Sequence, residues 1–230
     1  MEPPRVRAVC AGRVDEIEHP GGVERTAIGK TPVEGRVRLG PAERGGESGV
    51  AGDEIDDATH HGGRDQAVYA YAREDLDHFV ELLGEPIPDG FFGENLVTSG
   101  LEVSRARIGE RWRIGGGGGP LLEVASVRIP CQTFARWIDR HGIDATAWVR
   151  RFTQEARPGA YLRVVEAGEI GAGDDIEVVS RPDHDVDVAL MFRALTTSRD
   201  LLPRLHAVDD LAVSARRALE AYEAAAGRRD

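Results

Sequence analysis

A chain of 230 residues with a formal net charge of −11 is long enough to bury roughly 70–75% of its unfolded surface without covalent staples, and its acidity works against binding a phosphate backbone. Two cysteines, Cys10 and Cys131, make no disulfide framework and fit a reducing compartment. No apolar run approaches the ~18 residues of a membrane span, and the first residues lack the apolar stretch of a secretory signal; the expected location is the cytoplasm, with no nucleic-acid and no membrane partner.

In chain order, the first two thirds read as short strands between glycine turns. VRAVCAGRV (6–14), RTAIGK (25–30), GRVRLG (35–40) and AVYAY (67–71) are β-branched or aromatic and bounded by turn residues. REDLDHFVELLG (73–84) then places Leu76, Phe79, Val80 and Leu83 on one helical face, with Gly84 as the stop. ERWRIG (110–115) and LLEVASVRI (121–129) return to strand. After Cys131, the positions of Phe134, Trp137 and Ile138 predict a helix that continues through DATAWVRRFTQEA (144–156). AYLRVV (160–165) and DDIEVVS (174–180) are the last strands. SRPDHDVD (180–187) is a polar break, and three short helices are expected beyond it, with Ser198 and Asp209 as N-caps. The expected architecture is mainly β with helical insertions, a barrel or folded sheet over residues 5–182, followed by a small three-helix C-terminal domain over 186–226.

Three stretches carry side chains suited to chemistry. In THHGGRDQAVYAY (59–71), His61 precedes Gly62 and Gly63; such a turn either presents backbone N–H groups to an anion or simply closes on itself with a histidine bonded to backbone. In GFFGENLVTSGL (90–101), Glu94 and Asn95 supply a carboxylate and an amide, either to a ligand or to the backbone of a capped turn. In SVRIPCQTF (126–134), Pro130 fixes the chain before Cys131 and Arg128 stands three residues away. A cation there favours thiolate, which is a nucleophile or a soft-metal ligand, whereas an inert packed thiol is the plain alternative. Cys10, inside an apolar strand, reads as packing. IGGGGGPLL (114–122) lacks the spaced residues of a phosphate loop and reads as a hairpin. Lys30 is the only lysine in the chain.

These pieces together resemble the MOSC family, named after the C-terminal domain of molybdenum-cofactor sulfurase, and within it the YiiM-like bacterial subfamily that often ends in a three-helix domain. RTAIGKTPVEGRV, AGDEIDDATHHGGRDQAVYAYARED, FFGENL, IGERWRIG, LLEVASVRIPCQ and GAYLRVVEAGEIGAGDDIEVVSRP occur in the family's order. The glycine-rich approach to Asp53, GPAERGGESGVAGDEIDD, departs from the usual pattern and leaves that residue's role open. The resemblance implies a MOSC-type β-barrel, a molybdenum cofactor of the molybdopterin type, and Cys131 as its protein ligand and catalytic centre. It places Lys30, His61, Gly62, Gly63, Glu94, Asn95, Arg128 and Arg163 among the cofactor-binding positions. The implied activity is reduction of N-hydroxylated compounds, such as 6-hydroxylaminopurine, to amines, with electrons from an external reductase. A cofactor carrier or sulfur-transfer module is the alternative, and a cysteine–histidine hydrolase using Cys131 and His61 a third. A homodimer is a further expectation, since leucines near the C-terminus could pack on a second subunit.

Overall fold

A computed structural model describes residues 3–19 and 21–228. Twelve strands are named among them. β1 (Arg5–Ala11), β4 (Thr31–Pro32), β6 (Val68–Ala72), β7 (Leu96–Ser99), β8 (Arg111–Ile114), β9 (Leu121–Val127), β10 (Ala160–Glu166) and β12 (Ile176–Ser180) form one eight-stranded sheet. Its order is β12-β8-β9-β10-β6-β7-β1-β4. Only β6 and β7 pair in parallel; helix α1 (Arg73–Leu83) lies between them in the chain, as a parallel connection requires. Every residue of β6 and β9 is buried, and both sequences are accordingly near-continuous apolar runs. β5 (Val37–Leu39) pairs with β11 (Gly168–Ile170), and β2 (Asp15–His19) pairs only with β3 (Gly22–Thr26).

Of the two expected forms, barrel or folded sheet, the described residues show no closed barrel but a curled sheet. The sheet is open between β12 and β4, but it curls until its first strand meets the approach to its last. Val6 N donates to Asp174 O at 2.8 Å, Gly173 N to Val6 O at 2.8 Å and Ile176 N to Pro4 O at 2.9 Å, and Arg5 and Asp175 form a single bridge. The reason is positional: Gly173, with φ 91°, turns the chain at the contact, so pairing stops after one bridge.

Helix α1 packs against β6 and β7. α1 ends at Gly84, in the left-handed region as expected. The long helix expected after Cys131 is two helices, α2 (Gln132–Arg140) and α3 (Trp148–Glu155). Gly142 (φ 75°) and Ala147 (φ 52°) leave helical geometry between them. α4 (Val188–Leu195) is capped by Asp187, whose Oδ1 accepts from Leu190 N at 2.6 Å. Residues 199–207 form a 3₁₀ run rather than an α-helix; Pro203 lies inside it and supplies no N–H. α5 (Val213–Ala226) begins after Ala212, so Asp209 is not its cap, and Ser198 makes no side-chain bond to the run it precedes.

The buried aromatic cluster joins four helices and a loop. Phe79 of α1 stacks on Phe152 of α3 at 5.3 Å. Phe92 and Phe134 meet at 5.0 Å, and Phe134 meets Trp148 at 5.2 Å. Phe192 of α4 reaches Phe152 at 6.3 Å. The segment beyond residue 182 therefore contributes to the same core as the sheet.

Candidate cofactor site

Where β9 ends, the chain reaches Arg128, passes Pro130, and turns into α2 at Cys131. Cys131 has extended geometry (φ −122°, ψ 175°) and is the N-cap residue of α2. Proline holds the strand exit, and the first turn of a helix leaves N–H groups free beside the positive end of its dipole. The thiol is partly buried and opens into a cavity of about 260 Å³.

Arg128 lines the same cavity and is 7% exposed. Its Nη1 donates to Phe92 O at 2.9 Å, and its guanidinium carbon sits 3.6 Å from the centre of the Phe134 ring. Among the described residues Arg128 forms no ion pair with a carboxylate. The Tyr69 and Phe152 rings lie farther off, at 5.7 Å and 6.0 Å; burying a charge is costly without a counter-ion, and such ring contacts compensate only part of that cost.

Lys30, His61, Gly62 and Asn95 also line the cavity. Lys30 is not a free surface ammonium: it pairs with Asp53, and the two side chains are 8% and 1% exposed. Asp53 is the hub of this wall. Its Oδ1 also accepts from Gly12 N at 2.9 Å, and its Oδ2 accepts from Ser48 Oγ at 2.8 Å and Asn95 Nδ2 at 2.9 Å. Asn95 in turn donates to Cys10 O and accepts from Tyr69 N, both at 3.2 Å, clasping β1 to β6. His61 stands where the wall reaches solvent. Its imidazole pKa is lowered, first by desolvation against the cavity wall and then by the charge of Arg128.

Three expected residues lie elsewhere. Gly63 does not line the cavity; its N–H donates to Glu47 O at 2.9 Å, closing the 57–63 loop onto the 43–49 loop rather than facing an anion. Glu94 is fully buried behind the wall, where Oε1 accepts from Gly90 N at 2.6 Å and Oε2 has no partner. Burial pushes its carboxyl up to about 7. Arg163 faces a separate hollow of about 200 Å³. Its guanidinium binds Asp65 Oδ1 at 2.8 Å, Glu123 Oε1 at 2.9 Å, and both Oδ2 (2.8 Å) and the carbonyl (2.9 Å) of Asp210. Its charge is spent on holding the C-terminal segment to β10. Cys10 is fully buried, and burial raises its thiol to about 12, as befits a packed cysteine.

Sequence reading missed Gln66, Tyr69, Tyr161 and Thr133, which line the cavity. Tyr69 and Tyr161 lie in strands already legible as β, but their meeting across β6 and β10, at 5.0 Å, is a matter of register. The mouth is bordered by the β2–β3 hairpin. Glu24 accepts from Thr133 Oγ1 and from Arg136 Nη1 of α2, and Arg25 pairs with Asp56 at 3.2 Å.

Comparison with known proteins agrees with this geometry. The chain is 30% identical over 165 residues to the protein YiiM of Escherichia coli, covering 68% of this chain and 65% of that protein. It is 32% identical over 167 residues to a protein named reductase from Gibberella moniliformis, covering 67% of this chain but only 27% of that much longer protein. The crystal structure of YiiM from Geobacillus stearothermophilus superposes with a TM-score of 0.73 at 22% identity, covering 96% of this chain and 99% of the other, which shows a shared fold. The MOSC domain profile matches residues 57–177, more than half of the chain and the stretch that supplies His61, Asn95, Arg128 and Cys131. This protein belongs to the MOSC domain family, with YiiM-like relatives.

Proposed function

We propose that this chain holds a molybdenum cofactor of the molybdopterin type through Cys131 and uses it to reduce N-hydroxylated compounds to amines. One observation carries the reading: a half-buried thiol and a buried guanidinium without a carboxylate partner open on the same cavity. The donor set fits the group. The sulfur suits a soft metal, and Arg128 suits the negative charge that a thiolate-rich, phosphate-bearing cofactor brings. Among the described residues no three His, Cys, Asp or Glu side chains converge on a metal, so a metal held by Cys131 would bring its remaining ligands with it.

When bound, the molybdenum centre would supply two electrons to the substrate and take up its oxygen atom. The chain's own residues do the rest. Cys131 fixes the metal's position through the exit of β9 and the first turn of α2. Arg128, stacked on Phe134, offsets charge at the site. The Lys30–Asp53–Asn95 network keeps the opposite wall rigid. The overall conversion of R–NHOH to R–NH2 and water consumes two electrons and two protons. His61, at the solvent edge with a lowered pKa, stays largely neutral near pH 7, and its free ring nitrogen relays protons inward. Electrons come from a separate reductase.

The test is metal content and turnover. Full-length protein expressed with molybdate should carry molybdenum and reduce 6-hydroxylaminopurine with methyl viologen as donor. Cys131→Ser should lose both, and Cys10→Ser should retain both. Equal metal content and rate in Cys131→Ser and wild type would refute the ligand assignment. Bound molybdenum without turnover would instead favour the carrier reading.

A further inference from the structure

The cavity is lined on one side by consecutive residues of one strand and its exit, Glu24 to Ile28. Side chains alternate in direction along a strand, and β3 uses this to reach two walls of the opening. Glu24 accepts from Thr133 Oγ1 and, at 2.7 Å, from Arg136 Nη1 of α2, while its neighbour Arg25 pairs with Asp56 at 3.2 Å. Thr133 and Asp56 both line the cavity. The strand therefore runs from wall to wall, and one of its two ties lands two residues beyond Cys131.

The hairpin is rooted at both ends and lightly held between them. On the first leg, Gly12 N donates to Asp53 Oδ1 and Glu54 N to Gly12 O, both at 2.9 Å, and Val14 N donates to Glu54 Oε2 at 2.8 Å. On the second leg, Gly29 lies so close to the Trp137 ring that a Cβ there would stand 2.4 Å from it, and a Cβ on Gly90 would stand 2.4 Å from Lys30 O. Between these roots β2 and β3 pair only with each other. Their one buried apolar side chain, Ile17, stands outside the main core. The remaining ties are the pairs of Glu24 and Arg25 and the contacts of Arg140 with Glu16 O and Asp15. Such partly exposed pairs are individually weak and are screened by salt, and a unit with few apolar contacts opens locally before the body does.

We propose that the β2–β3 hairpin is a lid that pivots on its rooted legs, latched to α2 by Glu24 and to Asp56 by Arg25, and that bulky molecules reach Cys131 only when it lifts. The lid stands on this geometry alone; the nature of what passes beneath it, cofactor or substrate, rests on the function proposed above.

Cys131 reports on the lid directly, because its half-buried thiol lines the cavity while Cys10 is fully buried. The full chain, free of cofactor, is labelled with a small reagent, iodoacetamide, and a bulky one, fluorescein maleimide. The ratio of the two rates cancels any change in thiolate fraction. Arg136 does not line the cavity, so Arg136→Glu breaks the latch without widening the opening, and its added negative charge would by itself slow both reagents. The maleimide rate at Cys131 should rise about fivefold relative to iodoacetamide in this variant. Glu24→Arg combined with Arg136→Glu restores the pair with its charges exchanged and should return the ratio to within about twofold of wild type. In wild type, salt at about 1 M, where the screening length falls to about 3 Å, should also raise the ratio. Cys10 should stay unlabelled throughout. A ratio that neither Arg136→Glu nor salt moves would overturn the lid, as would a rise that the exchanged pair does not reverse. Labelling of Cys10 in step with Cys131 would overturn it too, since the opening would then be loss of the fold. No arm of the experiment needs molybdenum, so its failure is separate from failure of the cofactor reading, which metal content decides.

Discussion

Glu94 shows how one residue links the site to pH. Its carboxyl is fully buried, and desolvation outweighs the bond from Gly90 N to hold its pKa at about 7, against 4.5 for the free group. The folded protein therefore binds more protons than the unfolded chain between those values. The stability this contributes is fully present below about pH 4.5 and is lost as pH rises through about 7. At 1.36 kcal/mol per pKa unit the loss is on the order of 3 kcal/mol. Glu94→Gln keeps an acceptor for Gly90 and cannot ionise. Its Tm relative to wild type should rise from pH 5 to pH 8, and a difference that stays flat across that range would show that Glu94 does not titrate there. The consequence reaches the cavity, because Gly90 opens the loop whose Phe91 and Phe92 carbonyls hold Trp137 at 2.8 Å and Arg128 at 2.9 Å. The FFGEN motif signalled a turn with a carboxylate, and that much was legible. That the carboxylate faces inward was not, since no local pattern distinguishes a capping side chain from one folded under its own loop.

Among the elements, strands of β-branched and apolar residues were readable, and β1, β6, β8, β9, β10 and β12 form close to where their sequences place them. β2 and β3 were not, because DEIEH and GVERT are mostly polar and bury only Ile17 and Thr26. β7 was hidden inside a stretch that read as a turn. Arg163 was misplaced for a different reason: its partners Asp65 and Asp210 lie 98 and 47 residues away in sequence. It bridges β10, the 3₁₀ turn at 64–66 and the start of α5, where Asp65 Oδ2 accepts from Val213 N. Removing a buried member of such a cluster strands its partners and costs about 3–5 kcal/mol. Arg163→Ala should therefore lower Tm and speed amide exchange in α5 while β1 and β7 stay protected. Unchanged exchange in α5 would mean that packing alone holds it. Lysine is a poor replacement, because a single ammonium cannot reproduce the fork that serves three carboxylates.

For the whole molecule, the position of α4 decides how the chain unfolds. Val188, Met191, Phe192 and Ala194 are inaccessible to solvent, and Phe192 closes the aromatic cluster against Phe152. A division near residue 184 predicts two unfolding transitions and an independently stable 5–182 fragment; the shared core predicts one transition and a fragment that does not fold. Urea unfolding followed by tryptophan fluorescence and by far-UV circular dichroism should give coincident curves for the full chain, and a chain ending at Pro182 should lack a cooperative transition. Separated curves, or a fragment that unfolds cooperatively, would favour the division near residue 184. A last consequence follows from the hairpin of β2 and β3, which pair only with each other and reach α2 through side chains, Glu24 to Thr133 and Arg136, and Arg140 to Glu16 O. A ribbon closed on itself can be lengthened or exchanged without breaking a ladder elsewhere, whereas β9, which delivers Arg128 and Cys131, is locked between two neighbours. The molecule thus assigns the two sides of one opening to parts with opposite tolerance for change, a replaceable brim over an invariant floor, which makes the hairpin the natural graft point for altering what enters while the sulfur stays where it is.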